Sequence, residues 1–181
     1  APIDFCEWEH SSKKTSIYYE NRLISPDYLY KLIIALRIKR EADTKIKSIL
    51  EIGAGAGTLA RCMKQINPDA KYYIIDIPGT LYFSYIFLRA NFKNSKFKII
   101  TSKSQFLENE DADFIFISAE LYKHIPKWDI DLVINTHSLG EMSQPMVNSY
   151  MNLIQNNLNV SYLYSLNRLL QIPENVNDDI D

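Results

Sequence analysis

The sequence predicts an α/β protein built on a doubly wound, mainly parallel sheet with helices on both faces. Three observations predict it. Short apolar runs of strand length alternate with segments whose apolar residues recur at helical spacing. A glycine-rich turn, Gly53-Ala54-Gly55-Ala56-Gly57, joins the first such run to a helix. The run Asp131-Leu132-Val133-Ile134-Asn135 is apolar without alternation, as a strand covered on both faces must be. Right-handed crossovers between such units place the strands in the order 3-2-1-4-5.

Ser25-Pro26-Asp27 opens a leading helix, with Ser25 as N-cap and Pro26 in the first helical position. Tyr28, Leu29, Leu32, Ile33 and Leu36 follow at helical spacing. Residues 37–47 read as its solvated end and a loop, a basic stretch interrupted by Glu41 and Asp43. The first strand, residues 48–52, the helix 58–66, a turn at Asn67-Pro68-Asp69 and the second strand, 71–76, then form a βαβ unit. Pro78 precedes an apolar helix over 80–91, whose aromatic residues Tyr82, Phe83, Tyr85 and Phe87, with Phe92 beyond it, are expected in the core. Residues 97–100 and 104–108 read as a short strand and a short helix ahead of the third sheet strand, 113–118. The fourth strand is 131–135, followed by a helix over 145–158 and a fifth strand over 160–166. The expected organisation is a helical cap over 1–47, one α/β domain over 48–170 and a polar tail over 171–181.

A chain of 181 residues with 46% hydrophobic content can bury one substantial core but not a large second domain. The formal charge of -2 and pI near 6.0 provide no electrostatic reason to bind nucleic acid or an anionic membrane, so small molecules are the expected partners. Cys6 and Cys62 do not make a disulfide framework, no apolar run has the length of a membrane span, and no signal-peptide pattern is visible. A cytoplasmic location is the expectation that fits.

Glycine at 53, 55 and 57 permits positive φ and close backbone approach, and the helix behind it aims unpaired N–H groups at a ligand. Asp76 ends the second strand where an acidic residue takes ribose hydroxyls. A dinucleotide turn, G-x-G-x-x-G, would carry glycine at position 58, which is Thr58. Glu51 stands two residues before Gly53, where a carboxylate suits an ammonium group and repels a pyrophosphate.

This pattern resembles the first motif of the class I S-adenosylmethionine-dependent methyltransferases, [DE]-x-G-x-G-x-G. The resemblance implies a Rossmann-like fold, S-adenosylmethionine as cofactor and S-adenosylhomocysteine as product. It implies that residues 48–170 bind that cofactor: Glu51 helps hold the methionine part, Gly53, Ala54, Gly55 and Gly57 face the amino acid and ribose, and Asp76 takes the ribose diol. Ile77 then packs on the adenine, Ser118 and Ala119 border its edge, and Asn135 opens the fourth loop of the site. The family normally adds two further strands, the last antiparallel. Residues 171–181 are polar, contain a proline and do not read as a strand, so a form lacking those strands is expected.

The loop Asn135-Thr136-His137-Ser138-Leu139-Gly140-Glu141-Met142 is polar directly after a buried strand. His137 there is a candidate general base for a hydroxyl attacking a sulfonium methyl, with Glu141 orienting the imidazole or the acceptor and Ser138 on the acceptor side. Positioning alone also accelerates such a displacement, so a base is not strictly required. In the N-terminal segment, Arg22 is a candidate for the cofactor carboxylate and Tyr19 for the acceptor, while Arg168 could reach an anionic acceptor. Plain surface packing accounts for these residues equally well.

Three stretches look like the sugar O-methyltransferases of bacterial surface-polysaccharide gene clusters: residues 72–78, residues 131–138 with Glu141-Met142, and residues 162–168. This resemblance covers most of the chain from Ser48 to Arg168 and implies a sugar or nucleotide-sugar acceptor. The rivals are an NAD(P)-dependent oxidoreductase and a non-catalytic cofactor-binding domain. Amino-methylation of nucleic acid is disfavoured, because Thr136-His137-Ser138 replaces the Pro-Pro-aromatic run that stacks on a flipped base. Asp129, Asp131, His137 and Glu141 have metal-ligand chemistry, but Asp131 starts its strand and lies at the far end from His137, so no metal is expected.

Overall fold

A computed structural model describes residues 16–19, 22–42, 45–107 and 111–167, without the side chain of Arg22. An antiparallel hairpin, β1 (Ile17–Tyr19) and β2 (Arg22–Ile24), leads into α1 (Pro26–Glu41). Ser25 caps this helix by accepting a hydrogen bond from Tyr28 N–H at 3.1 Å. The sheet then follows: β3 (Ser48–Ile52), α2 (Thr58–Ile66), β4 (Lys71–Asp76), α3 (Pro78–Asn91) and β5 (Phe97–Ile100), with β6 (Phe114–Ser118), β7 (Trp128–Thr136), α4 (Gln144–Asn156) and β8 (Leu158–Leu166) completing it.

All neighbouring strands in this sheet pair in parallel, in the order β5-β6-β4-β3-β7-β8. The expected order 3-2-1-4-5 is its last five strands. The short run 97–100 adds a sixth at the edge, paired along its length with β6. The order reverses between β3 and β7, so their carboxyl ends open a crevice there.

Helices cover both faces. Ile34 and Ala35 of α1, Leu59 and Met63 of α2 and Leu88 of α3 pack with Tyr72, Ile74, Phe114 and Ile134 on one side. Tyr150 and Leu153 of α4 pack with Tyr122, Ile52, Val133 and Ile117 on the other. The aromatic residues of α3 correct the expectation of a wholly buried stripe. Leu81, Ser84 and Leu88 are the positions turned onto the sheet, which leaves Tyr82 and Phe83 62% and 67% exposed. Strand β7 starts at Trp128 and β8 at Leu158, each earlier than expected, because the two strands pair from those residues onward. The expectations for Cys6, Arg168 and the tail 171–181 lie outside the described residues. Among the described residues no helix is long and apolar enough to cross a membrane.

Candidate functional site

The crevice is lined by the loops that leave β3, β4, β6 and β7. Gly53, Gly55 and Gly57 have φ of 75°, 58° and 87°, the left-handed region that a side chain disfavours. Each glycine meets a different neighbour. A Cβ on Gly53 would collide with the Ser138 side chain, and one on Gly57 would press on Ser84 and Leu88 of α3 at 3.3 Å. Nothing lies within 4 Å of the corresponding position on Gly55, so the middle of the turn faces open space. The turn is held by Gly53 N–H donating to Ile75 O and Gly57 N–H donating to Ala54 O, at 2.8 and 3.0 Å.

Asp76 braces this turn from the end of β4. Its Oδ2 accepts from Gly55 N–H at 3.0 Å and its Oδ1 from Ile77 N–H at 2.8 Å. Burial raises its pKa above the ordinary aspartate value, with the amide hydrogen bonds opposing that rise. Ile77 beside it is 60% exposed, an apolar side chain at the rim of the crevice. Ser118 ends β6 and Ala119 opens the 3-10 turn that follows, and Ser118 lines a cavity of about 380 Å³ whose walls include Leu81, Tyr85 and Phe116.

Glu51 lies beneath the turn rather than on it. It is buried, and its Oε2 accepts from the Tyr72 hydroxyl at 2.8 Å. Burial pushes its pKa up to about 7, with the Tyr72 hydrogen bond and the Lys31 charge pulling the other way.

The loop after β7 is tied to the neighbouring strands by its own side chains. Asn135 and Ser138, read as facing the cofactor and the acceptor, spend their polar atoms on the protein. Asn135 Nδ2 donates to Ile52 O at 2.8 Å and to Ser138 Oγ at 2.5 Å, and Ser138 Oγ donates to Ile52 O at 2.9 Å. Asn135 Oδ1 accepts from Asn167 Nδ2 at 2.8 Å, while Asn167 Oδ1 accepts from Gly140 N–H at 3.0 Å. A fully buried amide at a strand end has to find such partners, because an unmet one costs about 1–3 kcal/mol.

This bracing holds His137 in an unusual backbone, with φ 71° and ψ -32°, and its N–H donates to Leu166 O at 2.7 Å. The imidazole Nε2 lies 3.1 Å from the Tyr30 hydroxyl of α1, with the rings stacked at 6.2 Å. Glu141 is exposed at the end of the short 3-10 turn, and the residue the structure pairs with the imidazole is Tyr30. Asp131 accepts from Lys47 and Ser48 N–H at the start of β3, the opposite end of the sheet from His137. Tyr19 of the hairpin is exposed, and the Arg22 side chain lies outside the described residues.

Three residues that build the site were not anticipated as such: Tyr72, Asn167 and Tyr30. Tyr72 had a signal, since it stands two residues from Ile74, the register partner of Glu51, and therefore shares its face. Tyr30 had none, being 107 residues from its partner.

No protein-family model and no curated protein matches the chain. Solved structures do. The mitomycin 7-O-methyltransferase MmcR is 14% identical with a TM-score of 0.53, over 79% of this chain and 38% of its own. A protein of Nostoc punctiforme PCC 73102 described as an O-methyltransferase is 16% identical with a TM-score of 0.51, over 72% and 34%. Coclaurine N-methyltransferase, solved with N-methylheliamine and SAH, is 11% identical with a TM-score of 0.50, over 80% and 38%. The chain has the fold of these methyltransferases and spans between a third and two-fifths of their length.

Proposed function

We propose that this chain is the cofactor-binding core of an S-adenosylmethionine-dependent methyltransferase acting on a hydroxyl of a small molecule. The observation that carries the reading is the pairing of an open, positive-φ Gly55 with Asp76. The half-buried carboxylate stands at the carboxyl end of β4 beside the open turn, where an acidic residue takes ribose hydroxyls. The methyltransferase fold of the neighbours and the SAH in the coclaurine enzyme support the same cofactor.

In this reading Ile77 and Ser118 flank the adenine, and the 380 Å³ cavity beside Ser118 accommodates the ring edge. Glu51 acts from below the turn, where an ammonium group drawn toward its buried carboxyl would favour the ionised form and lower its raised pKa. When bound, the cofactor supplies an electrophilic sulfonium methyl whose transfer leaves a neutral thioether. His137 takes the proton of the attacking hydroxyl as the new O–C bond forms, and passes it to solvent. Asn135, Ser138 and Asn167 hold His137 in place, and that positioning is itself a source of rate. A sugar or nucleotide-sugar acceptor is the substrate class that the sequence resemblance implies. Glu51 and Thr58 both count against a nicotinamide cofactor.

The test is formation of S-adenosylhomocysteine from S-adenosylmethionine in the presence of a panel of nucleotide sugars, with His137→Ala as control. Acceptor-dependent product that falls about 100-fold in the control supports the reading. Tight cofactor binding with no turnover on hydroxyl acceptors of any class would support a non-catalytic domain instead.

A further inference from the structure

We propose that Tyr30 is the positioning residue for His137, so that α1 forms part of the active site and not only a packing helix. The inference rests on the reading of His137 as the base. Tyr30 is 41% exposed, its hydroxyl lies 3.1 Å from Nε2, and its ring stacks on the imidazole at 25°. The main chain of His137 is already fixed, its N–H bonded to Leu166 and its carbonyl accepting from Gly140. Backbone and ring are thus held by β8 and α1 respectively. A residue with φ 71° that is not glycine is retained at a cost, and the surrounding contacts over-determine it.

A phenol oxygen both donates and accepts, so the contact itself permits either imidazole tautomer. The base function selects one. For Nδ1 to take the acceptor's proton it must be unprotonated, which puts the hydrogen of the neutral ring on Nε2, donating to Tyr30 Oη. Once Nδ1 is protonated, the Nε2–H to Oη bond persists unchanged. The ring keeps its orientation through the proton transfer, and Tyr30 itself neither gains nor loses a proton.

The experiment is a long-range ¹H–¹⁵N correlation spectrum of the 181-residue chain carrying ¹⁵N-labelled histidine, at a pH where the rings are neutral. The chain has three histidines, and His137→Gln assigns the signal. The wild-type protein should show His137 protonated at Nε2. Tyr30→Phe keeps the stacked ring and removes the oxygen, so the two tautomers should then appear together. With a working acceptor, kcat should fall about tenfold while the Kd for S-adenosylhomocysteine stays the same. An Nδ1-protonated His137 in the wild type, or a spectrum unchanged by Tyr30→Phe, would overturn the assignment. The tautomer is read without cofactor or acceptor. Failure to bind S-adenosylhomocysteine would therefore count against the methyl-transfer reading and leave the Tyr30 contact standing.

Discussion

Ser138 occupies the space that a side chain on Gly53 would need, so the loop after β7 is seated directly on the turn after β3. The two elements are separated by more than eighty residues, and their contact closes one side of the crevice. Gly53→Ala therefore carries two penalties, the left-handed backbone and the collision, for about 2–5 kcal/mol in all. Gly55→Ala carries the backbone cost alone, about 1–2 kcal/mol, because its surroundings are open. Urea unfolding of the two variants should show Gly53→Ala to be the less stable. Equal losses would mean that Ser138 is not seated there.

Glu51 makes stability depend on pH. Its ordinary pKa is 4.5 and burial raises it to about 7 in the folded protein. The native state therefore holds a proton between those values that the unfolded chain has released. The resulting stability is fully present below pH 4.5 and is lost as pH rises through 7, a change of about 3 kcal/mol. Asp76 is shifted in the same direction by its own burial. Glu51→Gln should flatten the profile between pH 5 and 8 when unfolding free energies are compared. A profile as steep as that of the wild type would show that another group titrates.

Tyr72→Phe removes the donor that satisfies the buried Glu51 carboxyl and should cost about 1–3 kcal/mol of stability. The same change should raise the Glu51 pKa further, because the Tyr72 hydrogen bond lowers it. Titration of Glu51 followed by carboxyl ¹³C shift in the two proteins checks the direction.

Asn135→Asp replaces two amide donors with a carboxylate oxygen facing the Ile52 carbonyl in a fully buried position. The expected loss is about 2–4 kcal/mol. Thermal unfolding measures it, and a loss below about 0.5 kcal/mol would show that the amide network is not structural.

The parts of the site legible in the sequence were those whose demand is local. Three alternate glycines state a backbone conformation, and Asp76 closes a strand at a fixed spacing from them, so both could be read without a fold. Residues whose role depends on a distant partner were harder. For Ser138 and Asn135 a sequence shows polarity but not the bonds to Ile52 and Asn167 that the fold supplies. The pairing of Glu51 with Tyr72 requires the register of two strands. In the fold, residues 97–100 read as a short strand, but its place at the sheet edge follows only from its pairing with β6. In α3, apolar residues on every side blurred which face meets the sheet, which is why Tyr82 and Phe83 were misread.

Asp76 is the residue through which the cofactor reading is most exposed. Asp76→Ala should weaken binding of S-adenosylhomocysteine by about 1–3 kcal/mol if the carboxylate takes the ribose diol through charge-assisted hydrogen bonds. An unchanged dissociation constant would remove Asp76 from the site.

The most direct measurement is calorimetric titration of the wild-type chain with S-adenosylhomocysteine and, separately, with NADH. The account predicts binding of S-adenosylhomocysteine with a dissociation constant on the order of micromolar and no heat from NADH. Binding of NADH alone would contradict it and assign the turn at Gly53–Gly57 to a nicotinamide cofactor.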